Sequence, residues 1–263
     1  MLGDVSAMVA QCAQGTAVTL MPLGVDPHDF APSSEQVATM IAADLVVANG
    51  LGLEEGLQDA LSAAETDGAR VVEIAPLVDP IPFSEGESLD PHFWNDVTRM
   101  ARGAELIGAE LADVTGNEQY AQCGSEVSAS LLQTDGLVRE TLSQVAPDNR
   151  VMVTDHDAFG YFAQAYDFEI AGVVIPGGST LAEPSSRAIA DLVDVIESEG
   201  VEAIFSNTAD PSAIVAAVAA EADTDIEVVE LYVGSLGPDG SGAQTYAEMQ
   251  QTNAQRIAGA LAE

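Results

Sequence analysis

Apolar residues along the chain fall into short runs, separated by stretches with the three-to-four spacing of helices. Residues 17–22 (AVTLMP) and 44–48 (DLVVA) read as buried strands, the second closed by Asn49-Gly50. A helix is expected over 34–42, opened by the Pro32-Ser33-Ser34 turn, with Glu35 and Gln36 in its first turn. A second helix is expected over 54–64 and a strand over 70–74 (RVVEI). This β-α-β-α-β rhythm predicts a parallel sheet covered by helices. Residues 76–91 are rich in proline and read as a loop, and a helix follows from Phe93 to about Val114. From Asn117 to about Val145 only Gly124 and Gly136 interrupt one long helical pattern before Pro147.

The second half repeats the alternation. Strands are expected over 150–154, 169–175, 201–206 and 227–231, and helices over 158–166, 185–199, 211–222 and 246–262. The fold class is therefore α/β, with two lobes built on parallel sheets and joined by one long rigid helix. The boundaries read as 1–114 for the first lobe, 115–146 for the linking helix and 147–263 for the second lobe. No fixed-period repeat or low-complexity linker is present.

Composition narrows the function. The 263 residues carry 43 acidic and 7 basic side chains, a formal charge of −36, and every base is arginine. With 47% hydrophobic residues, the chain has the material for real cores, so the charge belongs on the surface of a folded body. Such a field repels phosphates and anionic membranes, which argues against a nucleic-acid partner. Solubility in high salt accounts for most of the carboxylates, since salt screens their mutual repulsion. No apolar run is long enough to span a membrane. The opening MLGDVSAMVAQ lacks a basic region followed by a long apolar one, so no signal peptide is visible. The two cysteines, Cys12 and Cys123, make no disulfide framework; one disulfide and two buried thiols are both compatible with the sequence.

The chemistry concentrates on three histidines, all that the chain has. They sit in Asp26-Pro27-His28-Asp29, Asp90-Pro91-His92-Phe93 and Asp155-His156-Asp157, each at or after the expected carboxyl end of a strand. Ligands gather at such ends in open α/β sheets. Imidazole is a preferred zinc ligand, and a carboxylate close by can hold its other N–H and fix the tautomer. Each histidine has an aspartate within two residues, and Pro27 and Pro91 stiffen the approach to two of them. There is no HExxH, no GxSxG elbow and no GxxxxGK[ST] loop; Pro176-Gly177-Gly178-Ser179-Thr180 reads as a plain loop.

At these residues the sequence resembles the solute-binding proteins of zinc and manganese ABC importers, solute-binding family 9. The resembling stretches are GVDPHDFAP from Gly24, DPHFWND from Asp90, TDHDAFGYF from Thr154, AEPS from Ala182 and EGVEAIF from Glu199, and together they cover nearly the whole chain. The resemblance implies two lobes bridged by a rigid helix, with the metal in the cleft between them. His28 and His92 would come from the first lobe and His156 from the second. It implies an extracytoplasmic, monomeric protein that hands its ion to a membrane permease and performs no reaction on it.

Family members usually draw a fourth, acidic ligand from a segment of the type Leu-Tyr-Thr-Asp-Ser-Leu-Gly. Here that segment is Leu231-Tyr232-Val233-Gly234-Ser235-Leu236-Gly237, with Gly234 in the acidic position. Three neutral imidazoles suit Zn²⁺ better than Mn²⁺, which favours carboxylate oxygen. The family also commonly begins with a strand ahead of Leu2-Gly3-Asp4-Val5, without which the first lobe would expose an unpaired sheet edge. Two rivals remain at this level. A three-histidine zinc hydrolase would use the open position to activate water. An organic-solute binder would need an aromatic or arginine-lined cleft, yet aromatics are only 5% and arginines seven.

Overall fold

The structure is a computed structural model. It describes all residues except 84–87, 176, 178, 179, 181–183, 210–212, 223–225 and 263. The Pro176–Thr180 motif, the Ala182-Glu183 part of the family resemblance and the start of the helix expected from Pro211 lie wholly or mostly outside the described residues.

The chain opens with α1 (Leu2–Cys12), to which the hydrophobic pattern assigned no element. Val5 and Val9, four apart, fall on one face of it and are fully buried. Residues 17–22 then form no strand; they run irregularly towards α2 (Ser34–Ile41). Ser33 starts α2 with a capping box: its Oγ accepts from Gln36 N, and Gln36 Oε1 accepts from Ser33 N. Strand β1 (Val46–Ala48) pairs in parallel with β2 (Val71–Glu73), and α3 (Gln58–Thr66) makes the crossover. This first sheet has two strands. The other side of β1 borders a cavity of about 1180 Å³, lined across the gap by residues 16–23. The apolar run 17–22 therefore has no backbone partner to make it a strand, and Val18 is 70% exposed. Among the described residues no strand pairs with that side of β1.

Helix α4 (Val97–Thr115) begins later than its apolar pattern, because Asp96 caps it by accepting from Thr98 N and Arg99 N. Phe93–Asn95 form a separate 3₁₀ turn ahead of it. The long helix α5 (Gln119–Leu142) is present as expected. Gly124 acts in it as a contact point, not as a breaker. A Cβ on Gly124 would stand 2.7 Å from Ala104 O and 3.1 Å from Gly108 Cα, so only paired glycines let α4 and α5 approach this closely. A disulfide between Cys12 and Cys123, whose Cα atoms are 5.9 Å apart, ties α1 to α5 and settles the question left by the sequence.

The second half contains β3 (Val151–His156), α6 (Gly160–Tyr166), β4 (Glu169–Ile175), α7 (Ser186–Glu199), β5 (Ala203–Asn207), α8 (Ala213–Glu221), β6 (Glu227–Leu231) and α9 (Tyr246–Leu261). Its four strands are parallel in the order β4-β3-β5-β6, which places β3 inside the sheet. Two helices serve more than one core. Val127 and Leu131 of α5 join the first core, while Val138 and Leu142 join the second. Likewise Tyr246 and Met249 of α9 pack with the first core, and Ile257 and Leu261 with the second. Each of these helices thus contributes side chains to both cores. No described helix is long and apolar enough to cross a membrane.

Candidate metal centre

His28 lies in the loop between α1 and α2. Asp26 Oδ1 accepts from His28 N at 3.0 Å, a local turn that fixes the backbone ahead of the ring. His92 stands just before the Phe93–Asn95 turn. One oxygen of its neighbour, Asp90 Oδ1, accepts from both His92 N and His92 Nδ1 at 2.8 Å. Asn49, at the end of β1, supports the same segment from beneath by donating from Nδ2 to Pro91 O at 2.9 Å. His156 is the last residue of β3, inside the strand and not after it. Asp155 Oδ1 accepts from His156 N and Nδ1 at 2.8 Å, and its Oδ2 accepts from Asn207 N at the end of β5.

These three segments, 64 residues apart in each step along the chain, bring their rings together. The ring centroids are 5.3 Å apart for His28 and His92, 5.3 Å for His92 and His156, and 5.9 Å for His28 and His156. One nitrogen from each ring lies within 4.8 Å of the other two, and all three residues are buried. Because Nδ1 of His92 and of His156 faces a carboxylate, each neutral ring turns the lone pair of Nε2 the other way. His28 Nε2 and His92 Nε2 stand only 3.2 Å apart. At that distance the two nitrogens either share a hydrogen bond, with the proton on one of them, or share a cation. Two nitrogens on one tetrahedral zinc, at about 2.0–2.1 Å each, would stand about 3.3 Å apart. The donor set and its spacing fit a transition-metal ion.

Burial first, and then the charge that His92 would carry, push the His28 imidazole down to about 4. Burial and His156 lower His92 as well. His156 goes the other way: burial opposes its charge, but the Asp155 carboxylate outweighs burial and raises it. Burial pushes the Asp90 carboxyl up to about 7.

Sequence proximity identified Asp90 and Asp155 as partners of His92 and His156. The third aspartate behaves differently, since Asp26 binds the backbone of His28 and not its ring. Asn49, Trp94 and Asn207 carried no chemical signal in the sequence. Trp94 packs edge-on to His92 at 5.1 Å and donates from Nε1 to Val233 O. Asn207 Oδ1 accepts from Gly234 N, which places the backbone of Gly234 beside the centre. A Cβ at Gly234 would stand 3.1 Å from Pro27 Cδ and 3.2 Å from Asn207 Nδ2. The position that carries an acid in the resembling family is here a tight contact between Gly234 and the His28 loop.

Comparison with known proteins agrees with this geometry. The chain is 29% identical over 265 residues to the manganese-binding lipoprotein MntA of Halalkalibacterium halodurans, covering 100% of this chain and 86% of that protein. It is 31% identical over 273 residues to the zinc-binding protein TroA of Treponema pallidum, covering 99% and 87%. The solved structure of the periplasmic zinc-binding protein TroA from Treponema pallidum superposes with a TM-score of 0.88 at 29% identity, over 99% of this chain and 97% of that one. A manganese-bound periplasmic metal-binding protein from Candidatus Liberibacter asiaticus shares the fold, with a TM-score of 0.85 at 23% identity, over 99% of this chain and 96% of that one. None of these proteins is described as a hydrolase, and the three-histidine hydrolase is not favoured. Residues 1–260 match the family model described as ZnuA, zinc-uptake complex component A, periplasmic, and the chain belongs to that family.

Proposed function

We propose that this chain is the extracytoplasmic substrate-binding component of an ABC importer for a divalent transition metal. His28, His92 and His156 take the ion, and the loaded protein delivers it to a membrane permease. The protein works as a monomer without a nucleic-acid partner, and it carries the ion without reacting upon it. The lobes divide at 1–114 and 147–263, with the helical segment 115–146 between them and the ion in the cleft. The observation that carries the reading is the convergence of three buried imidazoles within 4.8 Å, two of them fixed through Nδ1 by their own aspartates.

Zinc is the proposed cargo ahead of manganese. The converging atoms are three nitrogens, and residue 234 offers no carboxylate. Zinc accepts four-coordinate nitrogen-rich sites, whereas manganese favours oxygen and higher coordination. The Cys12–Cys123 disulfide supports an extracytoplasmic location, because such bonds persist in oxidising compartments. Calorimetric titration of the metal-free protein with Zn²⁺ and with Mn²⁺ tests the reading. One zinc per chain, bound more tightly than manganese, is the expected result. Equal or tighter manganese binding overturns the choice of metal, and no binding of either overturns the function.

A further inference from the structure

The three histidines are not held to the rest of the molecule with equal force. Around His92 and His156 the two halves are locked together by buried bonds. Asn95 Nδ2 donates to Ala158 O at 2.8 Å, Tyr161 Oη donates to Asp90 O at 2.7 Å, and Trp94 Nε1 donates to Val233 O at 3.0 Å. Tyr246 Oη and Gln250 Nε2 from α9 both donate to Trp94 O. Each of these bonds links the segment 90–95 to residues beyond 150. His92 and His156 therefore form a fixed pair.

His28 is held otherwise. It sits in a stretch of 21 residues, between α1 and α2, that contains no regular element. Among the described residues no carboxylate meets its Nδ1. Two hydroxyls hold the segment that carries it against the second half. Thr180 Oγ1, beyond β4, donates to Asp26 Oδ2 at 2.5 Å, while Asp26 Oδ1 accepts from His28 N. Gly24 N donates to Ser235 Oγ, beyond β6, at 2.7 Å. Both bonds are only partly buried. Pro27, next to Asp26, packs on Gly234, where a side chain would crowd it. At the outer end Gly24 adopts a φ of +78°, a left-handed conformation that glycine takes without strain, and nothing lies within 4 Å of where a Cβ would be.

We propose that residues 24–28 are the moving arm of the site, and that Thr180 and Ser235 form the clasp that holds it shut. His28 swings out with its loop when the two hydroxyl bonds break, leaving the ion on the fixed pair His92 and His156, from which it departs. The clasp passes through Asp26, which joins the hydroxyl of Thr180 to the backbone of His28 with its two oxygens. Thr180 and Ser235 are positioning residues: neither meets the ion, and both govern how long it stays. This rests on the proposed metal-binding reading of the three histidines.

The test separates release from capture. The wild-type chain, T180V/S235A and T180S are loaded with Zn²⁺ and mixed rapidly with excess chromophoric chelator, and association is followed separately by stopped flow. Thermal unfolding of each metal-free protein serves as the folding control. T180V/S235A should release zinc roughly tenfold faster, the effect of losing two modest hydrogen bonds, with association within about twofold of wild type. T180S keeps the hydroxyl and should release zinc as slowly as wild type. Release from T180V/S235A at the wild-type rate overturns the clasp while leaving the metal site standing. So does an affinity loss that comes from slower association, or a T180S variant that behaves like the double variant. A wild-type chain that binds no zinc overturns the metal site and the clasp together.

Discussion

Behind His156 stands a parallel sheet of four strands; behind His28 and His92 stands a sheet of two strands, each three residues long. The second half aims its histidine by regular structure. His156 ends β3, flanked by β4 and β5, and its aspartate is tied to the last residue of β5. The first half has too little sheet for that. It places its two histidines from loops stiffened by prolines, by aspartates that accept from the next-but-one backbone N–H, and by the Asn49 side chain. Its helices, in turn, are held by a disulfide and by the contact of Gly108 with Gly124. A site can thus be equally compact on both sides while resting on a lattice of backbone bonds on one and on a few side-chain bonds on the other.

Removing a ligand from either half should erase this difference. His92→Ala and His156→Ala should each weaken zinc binding by more than about 100-fold, beyond the range for supporting residues, in a competition titration against a chelator of known affinity. A His92→Ala protein with unchanged affinity would refute its role as a ligand.

The disulfide tests the two halves separately. Cys12→Ser with Cys123→Ser should destabilise the protein by about 2–4 kcal/mol in denaturant unfolding. Hydrogen exchange should show the loss in α1, β1 and the first half of α5, with β3, β4 and β5 still protected. Uniform loss of protection across both sheets would mean that the halves do not differ in this way.

Asp155 and Asp90 make the same contacts to their histidines, but Asp155 also holds the end of β5. Asp155→Ala should cost about 10–100-fold in zinc affinity, and Asp90→Ala somewhat less, both measured by calorimetry. The reverse order would place the rigid side of the centre in the first half.

Acid should also divide the halves. His156 is raised, so its proton stabilises the metal-free fold below the unfolded value near 6.5 and that contribution is lost as pH rises through the folded value. His28 is held at about 4, so the fold loses stability as pH falls from about 6.5 towards 4, where the unfolded chain takes a proton that the folded one refuses. On the proposed reading, zinc needs all three imidazoles unprotonated. Its affinity should therefore fall as the pH drops through the imidazole range near 6.5, with protons released on binding. Affinity that stays flat between about pH 8 and 5 contradicts the histidine site. The smallest effect belongs to Asn49→Ala, which should cost about 1 kcal/mol in stability through the lost bond to Pro91 O and lower zinc affinity only a few-fold.

Much of the fold was legible in the chain. Strands β4 and β6 span the residues expected of them, β4 through its apolar run from Ile170 to Ile175 and β6, an edge strand, through the alternation that buries Val229 and Leu231 and exposes Glu230. The run 17–22 was equally apolar and formed no strand, since a strand needs a partner and none lies beside it. Helix α1 was missed because two valines four apart are a thin signal until α4 and α5 close over them. The sequence also brought out the three histidines and two of their aspartates, which are adjacent or nearly so along the chain.

What lies close along the polymer is set by the polymer: His92 beside Asp90, His156 beside Asp155, Ser33 capping α2. Convergence of three rings separated by 64 residues each is decided by the two sheets and the helices that pass through both cores, and no local spacing encodes it. The same holds for Asn207 against Gly234 and for Thr180 across from Asp26. Hydrogen bonds reach about 3 Å, so a chain can announce only the partners within its own next turn. All others wait for burial to bring distant segments together.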